Sequence, residues 1–393
     1  MSGQKKKGIS GEGLLLVVVV LFWFALYLHI PYQTPFLTAA GVAAGFTGTI
    51  VGAYGITQLV FRLPLGVLAD YAGKHKIFVI LGAGLAGFAC LVRILVPTGP
   101  GFLAANLISG CAASMWIAYM VLYSNYFSKK EQQKATSKVI MACNLGMCLA
   151  FVFSSCFYEK MGMAFLCGAG VIAGIAGVIG GIFVKEDLIP MKGKGEKRPG
   201  IGTYLSVCGN KRLILFALLA LIQQGIQMAT AMSFTTQILE DMGASALFIG
   251  SASIFYMIAA VVSAQFASTD LCEKKGARFY VPLVFFLTAV YCILVPAVAN
   301  IYAIFVLQAF PGMSTGILLS YLTSESMKEI PREKSSTAMG FFQAVYAVGM
   351  AFFPWAVGVL TENFNIGTGY DFLASAAFIG TVVSVIYYRR QQN

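Results

Sequence analysis

Three ionisable side chains lie inside apolar runs of the sequence: His29, Arg62 and Arg93. Because an ionisable group at membrane depth is costly, each of them is a candidate functional group. None of the 16 acidic residues falls near the centre of an apolar run, so proton transfer through a buried carboxylate is not predicted. The sequence also has no Ser/His/Asp set, metal-ligand cluster or phosphate-binding loop, which argues against an enzyme, a cofactor and ATP-driven transport.

His29 shares a helix face with Tyr32 and Gln33, at spacings i, i+3 and i+4. Pro31 and Pro35 interrupt the same helix and free backbone carbonyls, which are tolerated at membrane depth only against protein or a wet cavity. We therefore predict that His29, Tyr32 and Gln33 bind a substrate. The competing interpretation is that His29 is a hydrogen-bonded packing residue.

A second polar face carries Gln224, Gln227 and Phe234, on a helix that an internal repeat relates to the first one. Two equivalent faces predict one central cavity, to which we also assign Tyr119 and Tyr321. The alternatives are interhelical hydrogen bonds for the glutamines and anchoring at the lipid interface for the tyrosines.

Arg62 has two interpretations. It either attracts an anionic substrate as a fixed cation, or it is a structural tie neutralised by Asp70, two turns away, and by helix carbonyls. The structural tie is the preferred interpretation. Arg93 lies close to the end of its helix and is predicted to extend its charged group to the membrane interface.

The composition shows which kind of fold must position these residues. Of the 393 residues, 58% are hydrophobic and only 11% are charged, whereas soluble domains carry about 25% charged residues. Runs long enough to cross a membrane predict an all-α membrane protein with twelve transmembrane helices in two six-helix bundles. The predicted helices are 14–38, 46–70, 77–96, 101–127, 136–157, 162–184, 213–239, 246–267, 279–296, 300–326, 335–360 and 370–388.

The distribution of basic residues predicts the orientation. Nearly all of the 27 Lys and Arg residues precede the first helix, follow the last one, or follow an even-numbered helix. By the positive-inside rule this pattern predicts a multi-pass protein of the cell membrane with both termini cytoplasmic. Lipids are the expected surroundings, and nucleic acid is not an expected partner.

The long basic stretch 185–212 divides the chain into a cytoplasmic tail (1–13), a bundle (14–184), a linker (185–212), a second bundle (213–388) and a second tail (389–393). A constant offset of 202 residues superimposes the second half on the first. It pairs Tyr54 with Tyr256 and Tyr119 with Tyr321, and it holds over about a hundred residues. Two parallel repeats suit a transporter whose substrate lies between halves that tilt against each other.

The loop after the second helix contains a sequence motif. Residues 66–76, GVLADYAGKHK, resemble the Gly-x-Leu-Ala-Asp-Arg-x-Gly-Arg-Arg signature of the major facilitator superfamily. Gly66 permits close helix approach and Gly73 a tight turn. The resemblance implies that Asp70 faces the start of helix 11, near Ser336, and that Gly66, Asp70, Gly73 and Lys74 form a gate.

The resemblance also implies the function: a secondary transporter that moves a small organic solute, anionic or neutral, by alternating access, as a monomer and with its coupling unresolved. Helix 4 reads Asn106-x-x-x-Gly110, where drug exporters of the family usually carry Arg-x-x-x-Gly, and this difference argues against a drug:proton antiporter. The alternatives are a multidrug or organic-compound efflux pump and a non-transporting receptor or scaffold with the same fold.

Overall fold

The computed structural model describes residues 11–42, 44–186 and 200–391. Within these ranges the chain has no strand, and eleven helical stretches are long and apolar enough to cross a membrane. One of them, Lys129–Phe183, contains two spanning helices, because Gly162 in its middle has a φ of +73°, a left-handed conformation that ends a helix. The predicted twelve helices are therefore confirmed for the described part of the chain.

The spanning helices are numbered here in chain order. They are α1 (Gly11–Tyr27, continued as Ile30–Ala39), α2 (Ala44–Ala72), α3 (Lys76–Leu95), α4 (Gly99–Ser114, continued as Trp116–Asn125), α5 and α6 (the parts of Gln132–Phe183 before and after Gly162), α7 (Lys211–Ala229, Thr230–Phe234 and Thr235–Asp241), α8 (Ala246–Ala267), α9 (Asp270–Ala297), α10 (Ile301–Leu307, Ala309–Met313, Ser314–Leu318 and Leu319–Met327), α11 (Ser335–Asn363) and α12 (Ile366–Arg390).

The predicted segment boundaries fall partly outside the described residues. This applies to the tail 1–13, the linker 185–212 and the tail 389–393, since 1–10, 187–199 and 392–393 are not described. The described end of the linker carries a short helix, Ile201–Leu205, before α7 begins. The exact limits of the two bundles stay a prediction.

The internal repeat is visible in the backbone. Gly41 follows α1 with a φ of +76°, and Gly243, its partner at the offset of 202, follows α7 with a φ of +80°. A residue with a side chain rarely adopts this conformation, so glycine at both positions lets the two halves turn in the same way after their first helix.

The two bundles pack against each other through α2 with α11 and through α5 with α8. One side of the molecule carries the loops that follow the even-numbered helices, such as 73–75, 268–269 and 328–334, and is called the basic face below. The other side is called the opposite face. The sequence elements that resemble a gate lie at the basic face, where α2 ends and α11 begins.

Candidate functional site

The end of α2 is joined to the start of α11 by Asp70. Its Oδ1 accepts a hydrogen bond from the backbone N–H of Ser336 at 2.9 Å, and its Oδ2 accepts one from Thr337 at 2.6 Å. The first amides of a helix have no partner within the helix and carry partial positive charge. Asp70 of one bundle therefore caps a helix of the other bundle, which is the contact that the family signature implies.

Two glycines allow α2 and α11 to approach this closely. A Cβ atom on Gly66 would lie 2.3 Å from the carbonyl oxygen of Ser336, and one on Gly340 would lie 2.7 Å from the carbonyl oxygen of Arg62. Backbone atoms cannot move aside as the end of a side chain can. Any larger residue at either position would therefore push the helices apart.

His75 joins the same contact, whereas Lys74, which the sequence analysis assigned to the gate, is exposed. The His75 ring is 1% exposed, with Nε2 at 2.8 Å from Ser336 Oγ and Nδ1 at 3.2 Å from Glu186 Oε1. Gly73, which precedes them, turns the chain with a φ of +61°. His75 was missed because a basic loop residue is expected to point into solvent.

Further contacts cross between the bundles at the basic face. Ser324 donates to Gln133 Oε1, and Lys134 of α5 pairs with Asp270 at the start of α9. A crevice nearby, lined by residues that include Gln132 and Ser335, has a volume of about 40 Å³. Such a volume holds a few water molecules and no organic solute. Contacts among the described residues therefore bridge the two bundles at the basic face.

Side chains from both bundles meet deeper in the molecule. Tyr54 of α2 lies near Tyr27 of α1, and Cys143 of α5 lies near Tyr54 and near Tyr256 of α8. Gln227 Nε2 of α7 donates to Tyr256 Oη at 2.6 Å. We call this group, together with Arg62, Tyr346 and Thr315, the central cluster. Tyr54 and Tyr256 are repeat partners, and that pairing of hydroxyl-bearing aromatics is the sequence signal that could have revealed the cluster.

Arg62 lies in the central cluster and is 4% exposed. Its Nη1 donates to the carbonyl oxygen of Gln343 at 3.0 Å, its Nη2 donates to Gln58 Oε1, and its Cζ lies 4.9 Å from the centroid of the Tyr346 ring. The predicted tie to a helix carbonyl is present, but the predicted tie to Asp70 is wrong, because both carboxylate oxygens face α11. Among the described residues, no carboxylate lies within ion-pair distance of Arg62.

The polar face predicted on α7 is divided by a π-helical turn, Thr230–Phe234. One extra residue in a turn shifts everything beyond it around the helix axis. Gln227, before the π turn, reaches the central cluster, whereas Phe234, the last residue of the π turn, packs near Gly358 of α11. Gln224 is buried, and it is its neighbour Gln223 whose Nε2 donates hydrogen bonds, to Gln227 Oε1 at 3.4 Å and to Ser314 Oγ of α10 at 3.3 Å.

His29 and Tyr32 lie inside the N-terminal bundle and not between the bundles, which corrects their place in the predicted cavity wall, whereas the assignment of Gln33 stays a prediction. The ring of Tyr32 stacks on Tyr158 of α5 with centroids 4.0 Å apart. His29 and Gln33 are 3% and 5% exposed, and His29 Nδ1 and Gln33 Oε1 have no hydrogen-bond partner in the described part of the chain. The helix breaks at Leu28 and His29, as Pro31 suggested.

The prediction that Arg93 extends to the membrane interface is wrong. Its side chain is 2% exposed and turns into the bundle, where Nη2 donates to Asn106 Oδ1 at 2.7 Å and to Ser109 Oγ at 3.0 Å. The position of Arg93 near the end of its helix had favoured a location at the membrane interface. The two polar residues on α4 provide hydrogen bonds that outweigh that preference.

Tyr119 and Tyr321 are also inside their own bundles, which corrects their assignment to a central cavity. Tyr119 Oη donates to the carbonyl oxygen of Val79 on α3 at 2.7 Å, and Tyr321 Oη donates to that of Cys272 on α9 at 3.2 Å. The repeat relation holds, because each tyrosine fixes the fourth helix of its half to the third. Neither hydroxyl points to the partner bundle. Within the described ranges, no group of His, Cys, Asp and Glu is arranged to hold a metal ion.

Comparison with known proteins identifies the family. The model of the Major Facilitator Superfamily matches residues 15–237 and 216–392, which together cover nearly the whole chain. The chain belongs to the major facilitator superfamily. The resemblance carried by residues 66–76 is thereby confirmed, and the chain is a secondary transporter that moves a small solute across a membrane by alternating access.

Relatives and solved structures of the superfamily align over the full length. The proton-coupled antiporter flippase LtaA of Staphylococcus saprophyticus is 24% identical over 388 residues, which cover 97% of this chain and 95% of that protein. The structure of the human organic anion transporter MFSD10 is similar with a TM-score of 0.81 at 12% identity, covering 95% and 98% of the two chains. A structure of FucP in the outward conformation gives 0.79 at 14% identity, with coverage of 96% and 98%.

Proposed function

We propose that this transporter carries a small organic anion and that the central cluster binds it. The observation that carries the proposal is Arg62, a buried cation between the bundles whose partners among the described residues, Gln343, Gln58 and Tyr346, are all uncharged. An arginine stays charged at physiological pH. In a site of low dielectric constant a charge without a counter-ion attracts an anion strongly.

The surroundings of Arg62 support an anionic ligand with further polar groups. Arg62 Nε, Gln343 Oε1 and Gln223 Oε1 are buried without a hydrogen-bond partner among the described residues. Buried polar groups are normally hydrogen-bonded, so these atoms are free to bind a solute. The solved structure of similar fold that is named an organic anion transporter agrees with this substrate class.

The contacts at the basic face support a gating role for Asp70. Asp70, Gly66 and His75 hold α2 against α11, and solute cannot leave on that side until these contacts separate. The basic loops support a cytoplasmic location for this face and for both termini in the cell membrane. The solute then enters the central cluster from outside, as the similarity to a structure named for its outward conformation suggests.

The test is counter-transport by the purified protein in proteoliposomes loaded with one member of a panel of anionic, neutral and cationic metabolites. An anion carrier accumulates labelled anion against the preloaded anion. A receptor or scaffold binds the label without accumulating it, and a multidrug exporter accepts lipophilic cations as well. Accumulation of cations in preference to anions would disprove the proposed substrate class.

A further inference from the structure

The N-terminal bundle contains a second buried cation, apart from the central cluster. Arg93 of α3 lies near His29 of α1, and its guanidinium bonds to Asn106 and Ser109 of α4. All four residues are at most 3% exposed. We call these four residues the Arg93 cluster.

The hydrogen bonding of the Arg93 cluster is incomplete. Arg93 Nη2 makes both of the bonds to α4, whereas Nε and Nη1 have no partner in the part of the chain that the structure describes. His29 Nδ1 is unpartnered as well. A buried donor without a hydrogen bond costs about 1–3 kcal/mol, so the Arg93 cluster is unfavourable without a further ligand.

The charge is uncompensated as well. Among the described residues, no carboxylate pairs with Arg93. An isolated buried charge is far more costly than an unmade hydrogen bond, unless an opposite charge lies beside it. The cluster therefore lacks an acceptor that is also an anion.

The repeat supplies an internal comparison. Gln308 is the partner of Asn106 at the offset of 202, and in the C-terminal bundle its Oε1 accepts a hydrogen bond from Tyr291 at 3.4 Å. The same Tyr291 hydroxyl lies 2.8 Å from Thr235 Oγ1, which in turn lies 2.8 Å from the hydroxyl of Tyr370. This equivalent cluster has only neutral groups, each with a partner. Of these two equivalent clusters, only the Arg93 cluster combines a cation with N–H donors that have no partner among the described residues.

We propose that the Arg93 cluster binds a small inorganic monovalent anion of the size of chloride. The free N–H groups of Arg93 donate to it, and its charge neutralises the guanidinium. The ligand must be small because the surrounding side chains are almost fully buried and the Phe102 ring closes one side, 5.9 Å from Arg93 Cζ. The site holds α1, α3 and α4 together and is independent of the solute bound between the bundles.

The test measures the melting temperature of the purified protein while sodium chloride or bromide replaces sodium gluconate at constant ionic strength. An ion that binds only the folded protein raises Tm, so we expect a saturable rise of more than about 2 °C with either halide. Arg93→Gln should abolish the rise, and Arg390→Gln, which removes an exposed charge, should keep it. Arg62→Gln should keep it too, because the central cluster is a different site.

A wild-type Tm that does not depend on halide would overturn the proposal. Loss of the effect in Arg62→Gln and not in Arg93→Gln would place the ion in the central cluster and would equally overturn it. Should Arg93→Gln fail to fold, wild-type crystals soaked in bromide decide the question. The proposal requires an anomalous peak within hydrogen-bond distance of Arg93, and a peak elsewhere or none contradicts it.

Discussion

Asp70 accepts hydrogen bonds from the backbone amides of both Ser336 and Thr337, so the last turn of α2 caps the first turn of α11 across the boundary between the bundles. A helix cap is usually supplied by the chain just before the helix. Here the bundles cannot separate at the basic face without leaving the amides of α11 and a buried carboxylate unpaired. We therefore expect opening of the transporter at the basic face to require release of Asp70 from α11.

Asp70→Asn should slow transport and leave the protein folded. The amide keeps one acceptor oxygen but loses the charge and presents its NH₂ group to an N–H donor, so the closed state loses about 1–2 kcal/mol, the usual contribution of a cap. The measurement is the exchange rate in proteoliposomes, together with the yield of monodisperse protein. Asp371→Asn, at an exposed acid near the start of α12, is the control. Unchanged exchange in Asp70→Asn would remove the residue from the gate.

Glu186 should make stability depend on pH at the acid end. Burial raises the pKa of this carboxyl, but hydrogen bonds from the His75 ring and from the backbone amides of His75 and Lys76 outweigh it and hold the pKa below its ordinary value. A carboxyl group whose pKa is lowered by folding stabilises the fold at pH values above its pKa in the unfolded chain, about 4.3. That stabilisation is lost as the pH falls through the pKa of the folded state. The Tm of the wild type should therefore fall more steeply below about pH 4 than that of Glu186→Gln. Parallel Tm profiles would contradict this role.

Surface labelling tests the orientation. Lys74 is exposed on the basic face, and Asp241 is exposed at the other end of α7. In a background with Cys156→Ser, which removes an exposed thiol, Lys74→Cys should resist a membrane-impermeant maleimide in intact cells and react after permeabilisation. Asp241→Cys should react in both cases. The reverse pattern would invert the proposed topology.

Tyr256→Phe should weaken the central cluster. The lost hydroxyl accepts from Gln227 and lies 2.9 Å from Thr315 Oγ1. Its removal leaves a buried amide unpaired, at a cost of about 1–3 kcal/mol. We expect a lower Tm and weaker solute binding, both measured by thermal shift, whereas Tyr302→Phe at an exposed position should change neither. Full binding by a less stable Tyr256→Phe protein would show that the hydroxyl is structural only.

The sequence was sufficient to predict the helices but not to predict which of their residues form the site. Apolar run length predicted the twelve helices, because it is a local pattern, and the resemblance of residues 66–76 to the family signature implied the contact between Asp70 and α11. The faces of α7 and α10 were not predictable in the same way. Each helix contains a π turn, Thr230–Phe234 and Ser314–Leu318, which no 3.6-residue periodicity reveals. Residues beyond each π turn therefore face other neighbours than an unbroken α-helix would give them.

The burial of the arginine side chains could not be predicted from local sequence patterns either. Arg93 was predicted at the interface because its position in α3 is known from sequence, whereas the partners that draw it inward, Asn106 and Ser109, lie on another helix. The same applies to Arg62, whose carbonyl partner, Gln343, is 281 residues away. Contacts of this kind depend on how the helices pack, and the sequence alone does not record it.

The central claim is that Arg62 selects an anionic solute, and one measurement tests it directly: the charge preference and the Tm of Arg62→Gln and Arg62→Lys, determined by thermal shift with the metabolite panel. We predict that Arg62→Gln folds with a Tm close to that of the wild type and is no longer stabilised by anions. Arg62→Lys, which keeps the positive charge but lacks the planar guanidinium, should retain part of the stabilisation by anions. An Arg62→Gln protein that melts much earlier and still prefers anions would contradict the claim, since Arg62 would then be only a structural tie between α2 and α11.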